Sequence, residues 1–489
     1  MEHVNDCLLW QRPTLRFFSD VQLQKIYEAA LTILDRIGAD FYDAEAVERL
    51  AGAGAYIQER FEKKCRVRIP AALVKRALQS APGRVVLRDR LGRMRMILEG
   101  WNVYYGTGSD TPFTLDAFDD RRRQSVLQDV INAARLVDSL PNLDFCMCSA
   151  IASDVNAQTS DCHHFKAMVA NTTKPLMTTG WSLENLKTIY EMMTVVKGSD
   201  ERLQAEPFVM LYNEPVTPLT HPKESIQKLM FSAQKRFPIM YGPAPSRGST
   251  APVTSAGAFA LGLSEVLGGL VLHQLVRPGA PFICGGGAGV MDMKTSIRPY
   301  AAPEQNLGRM FRTEMARYLN LPSWGAAGAS DAKVIDGQAC GEAFQQITLS
   351  SLLGANLIHD VGYLETGLTF SPVFLTICDE FISHTRRILK SAEISDAAFA
   401  LDVIEEVGPG GHYLAHEHTY ENFRREIWMP DLTDRNNRNA WEAAGSSTLE
   451  TRAREKTQAI LRDHEPQPLA AETTAQLEAI VAEYDKKFA

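Results

Sequence analysis

The sequence predicts an α/β fold, a (β/α)8 TIM barrel with additions at both ends. From about residue 100, eight short runs rich in β-branched and apolar residues recur, each closing on Gly, Ser, Asn or Asp. They are separated by roughly 30 to 45 residues, and each is followed by a stretch with helical spacing, which implies right-handed crossovers and a parallel sheet. Eight such units are the number that closes a barrel. A doubly wound open sheet is the competing architecture, and the repeat count favours closure.

Taken in order, the chain opens with a mostly helical lead-in over residues 1–95. Ser19 followed by Gln22 matches a capping box, the apolar positions Val21, Ile26, Ala30, Ile33, Leu34 and Ile37 keep helical spacing, and Gly38 is a suitable stop. A second helix is expected over 70–80. The barrel occupies 96–392, with strands at 102–106, 143–149, 175–180, 207–212, 238–242, 281–285, 324–328 and 356–362. The stretch 256–275 is apolar nearly all round, as a buried helix is, whereas 303–319 is amphipathic. Helical stretches then run from Phe370 through a tail over 393–489, which Gly408-Pro-Gly-Gly411 punctuates with a turn.

Composition narrows the function. Lys plus Arg number 51 against 59 Asp plus Glu, a net charge of −8 with no basic stretch, which argues against nucleic acid as a partner. The start lacks a signal peptide's basic and apolar regions, and no run reaches the ~20 apolar residues of a membrane span. A cytoplasmic location is expected. None of the eight cysteines forms a C-x-x-C pair. Cys146 and Cys148, two apart on a strand, should share one face as buried thiols.

Catalytic groups of a barrel lie at the carboxyl ends of its strands. Those ends are polar here: Asp110 follows the first strand and Glu214 the fourth, Ser330, Asp331 and Lys333 follow the seventh, and His359-Asp360 ends the eighth. Aromatic residues crowd the same ends, namely Tyr104, Tyr105, Phe113, Trp181, Tyr212, Tyr241, Trp324, Tyr363 and Phe370. Rings with a few carboxylates suit a quaternary ammonium ion, because a cation over a ring face gains ~0.5–2 kcal/mol. Tyr104 and Tyr105 adjoin on a strand, so only one can face the mouth. The triad His412, His416 and His418 lies away from the strand ends and lacks a zinc-protease glutamate, so it is taken as helix-end packing and no metal site is expected.

The segments Tyr105-Gly-Thr-Gly-Ser-Asp110, Asn213-Glu-Pro-Val-Thr-Pro-Leu219, Gly248-Ser-Thr-Ala-Pro-Val-Thr254 and Leu275-Val-Arg-Pro-Gly-Ala-Pro281 carry a resemblance. Ser330-Asp-Ala-Lys333 with Asp336-Gly-Gln-Ala339, His359-Asp-Val-Gly-Tyr-Leu-Glu365 and Gly411-His-Tyr-Leu-Ala-His-Glu-His-Thr419 add to it. Together they resemble the trimethylamine methyltransferase superfamily, in particular its branch without pyrrolysine, which is similar to glycine betaine methyltransferase.

The resemblance implies demethylation of a small quaternary amine, glycine betaine or a related betaine, with transfer of the methyl group to Co(I) of a cobamide on a separate corrinoid protein. Trimethylamine or another N-methyl compound is the alternative substrate, and a protein that only binds quaternary ammonium is the non-catalytic one. No tightly bound cofactor is expected in this chain, and a homo-oligomer is implied. Within that frame His359, Asp110 and Glu214 are the catalytic candidates. Tyr104 or Tyr105, Phe113, Tyr212, Tyr363 and Phe370 are candidates for the cation cage. His359, then Lys333 and Arg298, are candidates for a betaine carboxylate. Gly285, Gly286, Ser330 and Asp331 are expected to face the corrinoid, the glycines because no phosphate-loop Gly-Lys pair follows them.

Overall fold

The computed structural model describes residues 13–488, and at its centre eight parallel strands close on themselves. The strands are Tyr104–Tyr105, a bridge region at Phe145 and Cys146, Leu176–Thr178, Val209–Asn213, Ile239–Tyr241, Phe282–Cys284, Trp324–Ala326 and Leu357–His359. They pair in sequence order: Gly106 with Phe145, Cys146 with Leu176, Leu211 with Thr178 and Ile239, Met240 with Ile283, Cys284 with Ser323, and Gly325 with Ile358. Leu357 lies opposite Tyr104, so the ring is complete. Each strand coincides with a run that the sequence marked out, to within one residue at Asn213.

Alternation along each strand sorts side chains inward and outward. Phe145, Met147, Met177, Met210, Met240, Ile283, Trp324 and Leu357 fill the lumen, while Cys146, Cys148, Leu211, Tyr241 and Phe282 pack outward against the helices. Cys146 and Cys148 therefore share the outer face as expected, both as free buried thiols. Burial pushes the Cys146 thiol up to about 12.

The expected helical lead-in needs correction. Helices Asp20–Thr32 and Ala71–Ser80 are present, the first with the Ser19–Gln22 capping box. Strands Ala39–Phe41, Tyr56–Arg60 and Cys65–Arg68 form an antiparallel sheet, however, which Thr220–His221 extends in parallel. A hairpin of Val85–Arg88 and Met94–Leu98 presents Val85, Leu87, Met96 and Leu98 to the lumen cluster. Tyr104, at the start of the first strand, accepts a hydrogen bond from the Ile97 N–H at 3.0 Å. The hairpin thus stoppers the amino-terminal end of the barrel and leaves the carboxyl end open, because the apolar lumen must be covered from one side.

Ser255–Val276 is buried as anticipated, and within its 22 residues the most apolar window has a mean hydropathy of 1.6, long and apolar enough to cross a membrane, which corrects the expectation that no segment is. Here 83% of that apolar window is buried inside the protein. The tail past residue 393 is a series of helices. Leu449–Asp463 packs along Pro372–Leu389, where Thr457 and Thr376 hydroxyls meet at 2.7 Å.

Candidate active site at the mouth of the barrel

A cavity of about 320 Å³ opens at the carboxyl ends of the strands. Its floor is aromatic. Trp324, the inward residue that begins the seventh strand, has its ring centroid 4.6 Å from that of His359 and 5.5 Å from that of Tyr212. Tyr300 adds a fourth ring from the loop after the sixth strand. That loop is anchored by Asp331, whose carboxylate accepts the backbone N–H groups of Tyr300 at 2.6 Å and Ala301 at 3.0 Å.

Three carboxylates share the cavity: Asp110, Glu214 and Asp360. Asp110 keeps contact with solvent at the mouth, yet partial desolvation by the surrounding protein pushes its carboxyl up to about 6 although Ser109 Oγ donates to it at 2.8 Å. Desolvation by the surrounding protein also raises Glu214, although it keeps contact with solvent, against the pull of the Tyr212 hydroxyl that donates to it. Asp360 Oδ1 lies 2.7 Å from His359 Nδ1, off the axis of a hydrogen bond. Asp110 and Asp360 hold φ values of 67° and 70°, left-handed conformations that cost a non-glycine residue free energy and concentrate at functional sites. Gly108 lets them approach, because a Cβ there would stand 2.3 Å from Asp360 Oδ1.

The wall after the sixth strand is cationic. Arg298 reaches in from the loop after the sixth strand, and Arg309 and Arg312 from helix Pro303–Tyr318 behind it. Gly308 lets this helix lie against the loop, since a Cβ would stand 2.0 Å from the Ala288 carbonyl oxygen. Gly287 packs against the same helix, where a Cβ would stand 3.1 Å from the Gly308 carbonyl oxygen. Burial lowers the Arg309 and Arg312 guanidinium groups to about 10.

Of the residues singled out in the sequence, the structure brings together His359, Asp110, Glu214, Tyr212, Arg298 and Gly286 around this one space. The others lie elsewhere. Neither tyrosine of the first strand reaches the mouth: Tyr104 is low in the lumen, and Tyr105 points outward with its hydroxyl on the Ile347 carbonyl and Ser351. Phe113 is covered by the Arg122 guanidinium 3.5 Å from its centroid. Tyr363 and Phe370 pack edge to face in the core, and the Tyr363 hydroxyl donates to the Ser109 carbonyl, supporting the Asp110 loop from behind.

Lys333 is exposed, with Nζ on the Asp331 carbonyl at 2.8 Å. Ser330 donates to Glu342, and Gly285 packs against Gly242 of the neighbouring strand end. The Asp331 carboxylate is taken up by the Tyr300 loop. Neither these eight side chains nor Gly285 line the cavity, which corrects the substrate contacts expected of Tyr104, Tyr105, Phe113, Tyr363, Phe370 and Lys333. His416 Nδ1 accepts the His418 N–H as a helix cap. Sequence reasoning passed over Tyr300, Arg309 and Arg312 as site residues and left Asp360 and Trp324 without a role among the strand ends. The one signal for the arginines was the Gln305, Arg309, Arg312 spacing along a single helical stripe.

The trimethylamine methyltransferase (MTTB) family model matches residues 4–489 of the chain. The trimethylamine methyltransferase of Desulfitobacterium hafniense is 30% identical over 471 residues, covering 96% of this chain and 94% of its own. The glycine betaine methyltransferase of the same species is 28% identical over 477 residues, covering 97% and 98%. Among solved structures, the monomethylamine methyltransferase of Methanosarcina barkeri superposes with a TM-score of 0.51 at 11% identity, covering 93% of this chain and 89% of that one, a likeness of fold.

Proposed function

This chain belongs to the trimethylamine methyltransferase family, and from that premise we propose that it takes a methyl group from a small quaternary amine, with glycine betaine or a related betaine as the leading candidate, and passes it to Co(I) of a corrinoid held by a separate protein. The observation that carries this reading is the cavity itself. Tyr212, Tyr300, Trp324 and three carboxylates enclose a space of about 320 Å³ at the barrel mouth, the size and lining that a small organic cation requires. A corrin macrocycle is far larger, so the cobalt has to meet the methyl carbon from the solvent side. Loops at this end expose Trp181, Val253 and Met293, apolar side chains suited to contact with a partner.

The chemistry asks little acid or base work of the protein. Co(I), as substrate, attacks the methyl carbon, a cobalt–carbon bond forms, and the carbon–nitrogen bond breaks with its electron pair left on nitrogen. The leaving group is a neutral tertiary amine and needs no proton. The residues therefore act by holding nitrogen, methyl carbon and the open mouth in line. Positive charge leaves nitrogen as the bond breaks, so the cage should hold the cation without gripping it in the ground state more than in the transition state. Ring faces meet that demand, while Asp110, raised to about 6, and Glu214, also raised, supply a softened negative field.

Incubation with Co(I) cobalamin and glycine betaine, followed by the absorbance of methylcobalamin, tests the reading. Methylcobalamin and dimethylglycine in equal amounts are expected. A panel including trimethylamine, the substrate in the name of the 30% relative, separates the two amine classes. Transfer from trimethylamine alone refutes the quaternary reading, and ligand binding without transfer refutes the enzyme.

A further inference from the structure

We infer that Arg312, flanked by Arg309 and Arg298, forms an anion subsite that takes the carboxylate of a zwitterionic methyl donor. This rests on the methyl-transfer reading above and deepens it, because it selects a betaine over trimethylamine and over a quaternary ion without an acid group.

Gln305, Arg309 and Arg312 in Pro303–Tyr318 are four and three residues apart, so they lie on one face of the helix, and all three line the cavity. Arg309 is 7% exposed and gives one N–H to Asn306 at 2.8 Å, leaving its Nε without a partner. Arg298 donates to the Ala244 carbonyl at 3.3 Å, and its Nε is also unpartnered. Arg312 makes no hydrogen bond and no ion pair among the described residues, and its Nε is sealed from solvent.

A partly buried guanidinium with nothing to bind is costly, since the part of the charge taken from water loses its hydration without compensation. The acids of the cavity offer only longer-range attraction, Asp360 toward Arg309 and Arg312 and Glu214 toward Arg298. Asp110, Glu214 and Asp360 stand at the ends of the first, fourth and eighth strands, and none of them forms an ion pair with these arginines. The cavity thus carries charge of both signs, with carboxylates at the ends of the first, fourth and eighth strands and guanidinium groups on the wall after the sixth. A zwitterion matches both walls at once, its ammonium methyl groups on the rings and its carboxylate on the arginines. Trimethylamine and tetramethylammonium satisfy one wall and leave Arg312 unpaired. A guanidinium fork is moreover the side chain whose geometry fits a carboxylate.

Calorimetric titration of the full-length protein with glycine betaine and with tetramethylammonium decides the matter, in the natural sequence and in Arg312→Met and Arg312→Lys. Arg312→Met should weaken betaine binding ~10- to 100-fold and change tetramethylammonium binding far less. Arg312→Lys should recover part of the loss. Urea unfolding without ligand gives an independent readout: Arg312→Met should be at least as stable as the natural protein, because it removes an uncompensated charge, whereas loss of a structural ion pair would destabilise it. Unchanged betaine affinity in Arg312→Met overturns the subsite, as does equal weakening of both ligands or equal affinity of the natural protein for both. Should no amine methylate cobalamin, methyl transfer fails, and the binding comparison still decides the subsite by itself. If Arg312→Met does not fold, Arg312→Lys decides the question instead, with undiminished betaine affinity and unchanged selectivity overturning the subsite.

Discussion

Glu265 sits at 0% exposure in the middle of Ser255–Val276, and its carboxylate clasps the loop that follows Glu214. It accepts the Leu219 N–H at 2.6 Å and the Thr217 hydroxyl at 3.1 Å. Burial pushes it from an ordinary value of 4.5 to about 8, and those two bonds hold it from rising further. The sign follows from linkage: the folded state keeps this proton longer than the unfolded chain, so the contribution to stability is complete below about 4.5 and is lost as pH rises through about 8. At ~1.4 kcal/mol per pH unit, that span is worth on the order of 5 kcal/mol. Glu265→Gln keeps an acceptor for the Leu219 N–H, turns its amide N–H to the Thr217 hydroxyl oxygen, and cannot ionise. Urea unfolding of both proteins at about pH 5, 6.5 and 8 should therefore show the natural protein losing stability relative to the variant by ~1.4 kcal/mol per pH unit. Taking the difference cancels every other titrating group. A difference constant across that range refutes the reasoning.

Asp331→Ala removes two hydrogen bonds to a carboxylate, each worth ~1.5–3 kcal/mol, and frees the loop that carries Arg298 and Tyr300. Steady-state methylcobalamin formation should show KM for the amine rising ~10-fold or more, with a smaller change in global stability because the loop opens locally. An unchanged KM would show that the anchor does not matter to the cavity. Gly308→Ala is a test of sign: in an exposed helix the change stabilises by ~1 kcal/mol, but here the new methyl would stand 2.0 Å from the Ala288 carbonyl. A loss of ~1–3 kcal/mol in chemical denaturation is expected, with weakened betaine binding as the arginine-bearing helix is displaced. A gain in stability would mean that the helix does not press on the loop.

The spacing of eight apolar runs was enough to place every barrel strand, because strand length and crossover length are local properties of the chain. The same pattern put Asp110, Glu214 and His359 at strand ends, and in this fold strand ends are the mouth. The lead-in was misread because Val85–Arg88 and Met94–Leu98 are short, carry interspersed charge and gain their stability from an apolar lumen that does not exist until the barrel closes. The aromatic cage was only partly legible. Alternation showed that Tyr104 and Tyr105 face opposite ways, yet it is silent on depth along the barrel axis, and Tyr104 proves too low while Trp324 and Tyr212 sit at the floor.

The arginines show the same limit most clearly. An amphipathic period in Pro303–Tyr318 establishes that the helix has two unlike faces. It does not say that the stripe with Gln305, Arg309 and Arg312 turns toward an enclosed space and not toward water. Local sequence thus determined the barrel and the ring of polar strand ends, since both follow from periods of a few residues. Only the tertiary structure decided which charges lose their water, because desolvation depends on what the distant parts of the chain place around them.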